Sequence, residues 1–240
     1  MSETTASAHT PIATDSVVDH LKRACAEDWA AYTDHAFVRQ LADGSLPRAC
    51  FQHYLIQDYL FLVQFARAYA LATYKAGDLT EMRETAATLD ALLNTEMQLH
   101  VDYCGQWGLS EGDMRATPES RATMAYTRYV LEAGMAGDLL DLLVALAPCA
   151  CGYGEIGARL LADPATTLDS NPYRAWIELY GGADFQAVSR KAVAQIDRVA
   201  AKRAGPALTR SDRWRELCRL FRDATRLEAD FWQMGLDRAA

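Results

Sequence analysis

The sequence predicts an all-α, single-domain multi-helix bundle, on three observations. Apolar residues recur at helical spacing, while long alternating runs joined by hairpin dipeptides are absent. Glycine and proline punctuate the chain at intervals suited to helices of roughly fifteen to thirty residues. No internal repeat or long linker divides the 240 residues, which can form one domain with a core large enough to hold a cavity.

The elements follow in order. Residues 1–15 (MSETTASAHTPIATD) carry neither the basic nor the apolar region of a secretory signal and are expected to form a disordered tail, leaving 16–240 as the helical domain. A first helix is expected over 16–41, ended by Asp43-Gly44-Ser45-Leu46-Pro47. Pro47 suits the start of a second, 47–76. After Gly77-Asp78, the acidic first turn with Thr80, Glu81 and Glu84 opens a third, 79–104. The stretch from Gly105 to Gly112 reads as a loop, followed by helices 118–135 and 138–162. Pro148 lies inside the latter and predicts a kink beside Cys149. Asp163-Pro164, Asn171-Pro172, Gly181-Gly182 and Gly205-Pro206 then separate helices 172–180, 184–203 and 209–237.

Composition narrows the function. With 24 Lys and Arg against 32 Asp and Glu, the net charge of −8 argues against a nucleic-acid footprint. The basic stretch from Arg210 to Arg215 is followed at once by acids and reads as a solvated helix face. The longest apolar run, 142–153, is shorter than a bilayer span, so no membrane partner is expected. The six cysteines lack framework spacing and are expected to be reduced thiols of a cytoplasmic protein.

In a helical bundle, sites are built from polar side chains on inward-facing stripes. Trp214, Leu217, Phe221, Ala224, Glu228, Phe231 and Gly235 form such a stripe, with Glu228 its one carboxylate. A buried carboxylate must be paired or protonated, so Glu228 is either an arginine-paired structural group or one tuned for acid–base work. Asp58 is the only charge on the face Phe51, Tyr54, Phe61, Leu62 and Phe65, where it serves a ligand amino group or a helix-to-helix hydrogen bond. Cys149 shares a face with Tyr153, while Cys151 is rotated by about 200°. A buried cysteine is by default a small hydrophobe. A third stripe, Leu89, Leu92, Leu93, Glu96, His100 and Tyr103, carries a carboxylate–imidazole pair. A metal site there would need a second ligand set that the other histidines do not supply, which favours a structural pair and no metal.

The strings HAFVRQLADGSLP (35–47), FQHYLIQDYLFL (51–62), EMQLH (96–100), PCACGYGEIGARLL (148–161), YGGADF (180–185) and EADFW (228–232) follow one another at a spacing that resembles the TenA family, thiaminase II or aminopyrimidine aminohydrolase. The resemblance runs from Trp29 to Gly235 and implies a fold related to haem oxygenase. It implies that Cys149 is the nucleophile, Glu228 the acid/base and Asp58 the pyrimidine-binding aspartate, with Tyr126, Tyr153 and Tyr180 as active-site tyrosines. Phe61 stands where the family usually has Tyr, and Cys151 where a bulkier residue is common. The implied activity is release of hydroxymethylpyrimidine from aminomethylpyrimidine, and cleavage of thiamin, by a homotetramer that uses no cofactor. Two alternatives from other classes are a pyrimidine-binding or regulatory protein without catalysis, and a metal-dependent oxidase using Glu96 and His100.

Overall fold

In the computed structural model, residues 15–205 and 207–239 are described; of the tail expected over 1–15, residues 1–14 lie outside them, and Asp15 pairs with Arg23 (2.9 Å). Every regular element among them is helical: α1 (Val17–Ala24), α2 (Ala26–Thr33), α3 (Ala36–Asp43), α4 (Arg48–Lys75), α5 (Leu79–Ala91), α6 (Met97–Gln106), α7 (Glu111–Ala116), α8 (Arg121–Ala136), α9 (Leu139–Ala162), α10 (Arg174–Gly181), α11 (Ala183–Ala204) and α12 (Asp212–Leu236). A π-helical turn, Leu92–Glu96, joins α5 to α6.

Polar N-caps start most of these helices. Ser16 and Asp138 each form reciprocal capping boxes, with Asp19 and Asp141, so two otherwise orphaned donors are satisfied at each start. Asp78, Ser110, Ser120 and Ser211 cap α5, α7, α8 and α12 with side-chain acceptors. Gly44, at φ 77°, ends α3 in the left-handed conformation that favours glycine.

The expected helix 16–41 is three helices. Cys25 leaves helical geometry (φ −128°, ψ 34°) and its N–H folds back on Leu21 and Lys22, while the His35 ring restarts the chain by accepting from Phe37 N. Neither break uses glycine or proline, the punctuation on which the sequence reading relies. The expected loop from Gly105 to Gly112 runs into α7, whose cap, Ser110, accepts from Asp113 N.

The core centres on α9, which packs against α8, α10, α11 and α12, while α4 packs against α5, α8 and α12. Helix α9 runs through Pro148 without ending. By length and composition Leu139–Ala162 could cross a bilayer, unlike the shorter run 142–153, but 83% of that apolar window is buried inside the protein. It is the central helix of the bundle. The basic face expected over 210–215 is only partly solvated, since Arg213 reaches across to Asp141 (2.7 Å) at the start of α9.

Candidate active site

A cavity of about 510 Å3 opens between α4, α5, α9 and α11. Cys149, Tyr153, Asp58, Phe61 and Tyr180 all line it. Helical spacing puts Asp58 and Phe61 on one face of α4, and Cys149 and Tyr153 on one face of α9. Cys151 does not line the cavity; it is 3% exposed and turned toward Ser189.

Tyr180 comes from the far end of α10, and a close helix crossing puts it there. A Cβ on Gly157 would lie 2.4 Å from the Gly181 nitrogen and the Tyr180 carbonyl carbon, so α9 and α10 meet backbone to backbone. The Tyr180 ring packs on Tyr153 (4.9 Å between centroids), Trp176 (4.6 Å) and Phe185 (4.7 Å).

Glu228 and Tyr126 lie directly behind this wall rather than on it. The Tyr126 hydroxyl donates to Glu228 Oε1 at 2.8 Å, both groups fully enclosed, and among the described residues no arginine reaches the carboxyl. Phe61, which lines the cavity, stacks on Tyr126 (5.0 Å between centroids). Burial pushes the Glu228 pKa up to about 8, against a partial lowering by the Tyr126 hydrogen bond, and the Asp58 charge adds to the rise. Burial first, then the charges of Glu228, Asp58 and Glu96, hold the Cys149 thiol well above its ordinary range. At neutral pH the thiol and Glu228 are therefore both protonated.

Asp58 has a partner that the sequence placed elsewhere. His100 Nδ1 approaches its Oδ2 at 3.5 Å, and His100 Nε2 lies 3.0 Å from the Leu55 carbonyl. That carbonyl only accepts, so Nε2 carries a proton and Nδ1 is left facing the carboxyl of Asp58. Burial raises the Asp58 pKa, while His100 and the Tyr54 hydroxyl lower it. The expected Glu96–His100 pairing is thereby corrected: both ring nitrogens of His100 are turned to α4. The π turn also corrects the stripe, leaving Leu92 at 4% exposure and Leu93 at 53%. Among the described residues no three His, Cys, Asp or Glu side chains gather as a metal would require.

Several residues around the cavity carry no functional mark in the sequence. Tyr54, one helical turn before Asp58 on α4, sets its hydroxyl against the Asp58 carboxyl behind the wall, and helix spacing alone could have assigned it. Tyr69, Phe65, Leu92 and Phe185 line the cavity; no local pattern separates them from core residues.

Fold and site together define an all-α protein with an enclosed thiol-and-carboxylate pocket. The chain belongs to the TENA/THI-4/PQQC family, whose model matches residues 23–238. It is 44% identical over 211 residues to an uncharacterised Haemophilus influenzae protein, covering 88% of this chain and 94% of that one. It is 36% identical over 207 residues to an aminopyrimidine aminohydrolase of Halalkalibacterium halodurans, covering 86% of this chain and 89% of that one. A crystal structure described as a TenA family transcription regulator, from Silicibacter sp. TM1040, superposes with TM-score 0.87 at 48% identity, covering 91% and 96% of the two chains. A Shewanella denitrificans domain with a heme oxygenase-like fold shares the architecture alone, with TM-score 0.71 at 14% identity, covering 95% and 94% of the two chains.

Proposed function

We propose that this protein is a thiamin-salvage hydrolase that releases hydroxymethylpyrimidine from aminomethylpyrimidine and also cleaves thiamin, with Cys149 as nucleophile and Glu228 as acid/base. The observation that carries the reading is convergence: residues from α4, α9 and α10 meet on one cavity wall, with a protonated carboxyl immediately behind it. The aminohydrolase relative supplies the substrate class.

Cys149 and Glu228 divide the work. Asp58 accepts a hydrogen bond from the ring or its amine, with Phe61, Tyr126 and Tyr153 forming the aromatic slot and Tyr180 orienting thiol or ring nitrogen. The Cys149 sulfur adds to the pyrimidine ring, and the thiol proton passes to a ring nitrogen, so no free thiolate has to exist beside the Asp58 and Glu96 carboxylates. The ring electrons then expel the amine, which takes the Glu228 proton as it departs. The resulting Glu228 carboxylate accepts a proton from water as the water oxygen bonds the exocyclic methylene. Return of the ring proton and loss of sulfur regenerate Cys149.

The test is hydroxymethylpyrimidine release from aminomethylpyrimidine and from thiamin. Cys149→Ser should lose on the order of a thousandfold in kcat, while Cys151→Ser stays close to wild type. Equal losses in both variants would remove Cys149 from its role. A second reading, ligand binding without turnover, is favoured by the regulator description of the Silicibacter protein and by Phe61 in place of a hydroxyl. Tight binding of either compound with no product would select it.

The resemblance also points to a cytoplasmic homotetramer. Leu79 (64% exposed), Leu93 (53%) and Leu99 (55%) on the α5–α6 segment are exposed apolar side chains of the kind that subunit contacts cover. Sedimentation at a monomer mass would refute the assembly.

A further inference from the structure

At about 510 Å3 the cavity is roomier than one pyrimidine ring needs, and its wall is unevenly charged. Its cations, Lys191 and Arg198, are exposed, and Arg198 is bound to Glu84 at 2.5 Å. Deeper in, Asp58 is partnered by His100. That leaves Glu96. It closes the π turn at the start of α6, and its carboxyl accepts no hydrogen bond and joins no ion pair among the described residues. Leu62, Phe65, Tyr69 and Leu92 line the same cavity, an apolar and aromatic surround in which a lone carboxylate is costly. Burial and the nearby charge of Asp58 raise its pKa, as befits an anion without a counter-ion. π turns are frequent at functional sites because the extra residue re-aims a side chain. Here the turn leaves Leu92, Glu96 and His100 on one face, two lining the cavity and the third holding Asp58.

Resting on the substrate class proposed above, we propose that Glu96 is the anchor for a permanently cationic leaving group, holding a thiazolium on the pyrimidine 5-methylene beside the faces of Phe65 and Tyr69. A carboxylate backed by aromatic faces favours a cation in two ways, by charge and by the ring quadrupoles. A neutral ligand gains from neither. Glu96 is thus a specificity residue, distinct in role from the Asp58 that meets the pyrimidine ring.

The experiment is calorimetric binding in a Cys149→Ala background, with thiamin as the cationic ligand and hydroxymethylpyrimidine as the neutral one. Glu96→Gln should raise the Kd for thiamin about ten- to a hundredfold and leave that for hydroxymethylpyrimidine within about threefold, which also certifies the fold. Glu96→Asp should keep most of the preference for thiamin. An equal loss for both ligands, or none for thiamin, overturns the proposal. Because this readout needs no turnover, a wild-type enzyme that forms no product would overturn the hydrolase reading and leave the Glu96 result standing. Failure of both ligands to bind would overturn both.

Discussion

Glu228 keeps its proton up to about pH 8, and that determines which form of the enzyme can donate to a leaving amine. Activity toward aminomethylpyrimidine should therefore fall on the alkaline side with an apparent pKa near that value. Glu228→Gln should lower kcat by about 100- to 10,000-fold and abolish this limb. Tyr126→Phe removes the hydrogen bond that lowers the Glu228 pKa, so its limb should move to higher pH. A limb that stays in place in Tyr126→Phe would assign it to another group. The same shift bears on stability. Between the ordinary carboxyl value and about 8, the unfolded chain has released this proton and the folded chain has kept it. The native state binds more protons there, so unfolding free energy falls as pH rises through that window. In thermal melts, Glu228→Gln should flatten the decline.

At the scale of elements, the close crossing of α9 and α10 is the contact on which the wall most depends. Gly157→Ala would drive a methyl into the backbone of α10. Overpacking of this kind costs about 1–3 kcal/mol, and the displaced Tyr180 should lower kcat/KM by up to about 100-fold. Full activity in a stably folded Gly157→Ala protein would free Tyr180 from any positional demand. Much of this architecture was legible beforehand. The faces of α4, α9 and α12 follow from a 3.6-residue repeat, which is why Asp58 and Glu228 stood out as polar residues in apolar company. The breaks at Cys25 and His35 were not legible, because backbone and imidazole caps made them rather than glycine or proline. Nor was the π turn at 92–96, a one-residue insertion without a sequence mark that decides whether Leu92 or Leu93 faces inward. The partner of Asp58 lies on another helix, and pairing between helices leaves no trace in the periodicity of either. Chemistry for Cys149 came from the family resemblance; by pattern alone it was a thiol beside a proline.

At the scale of the whole molecule, one hydrophobic helix fills the centre, and one edge of the bundle is held by charge. The strap from α5 to α11 is built from ions: Lys202 with Asp78 (2.6 Å) and Glu81 (3.0 Å), Arg203 with Glu81 (3.1 Å), and Arg198 with Glu84 (2.5 Å). Arg198 and Glu84 belong to the cavity wall as well, so the last rung is shared with the site. Charges held at a solvated rim weaken as electrolyte shortens the Debye length from about 8 Å at 0.15 M to about 3 Å at 1 M. Ligand traffic should then carry an ionic-strength signature that the buried chemistry does not share. Association of neutral hydroxymethylpyrimidine should quicken with added salt in the wild type and lose that dependence in Arg198→Gln, as stopped-flow would show. What holds the bundle together at this edge would also act as its latch, and the solvent's ions would set how firmly it is fastened.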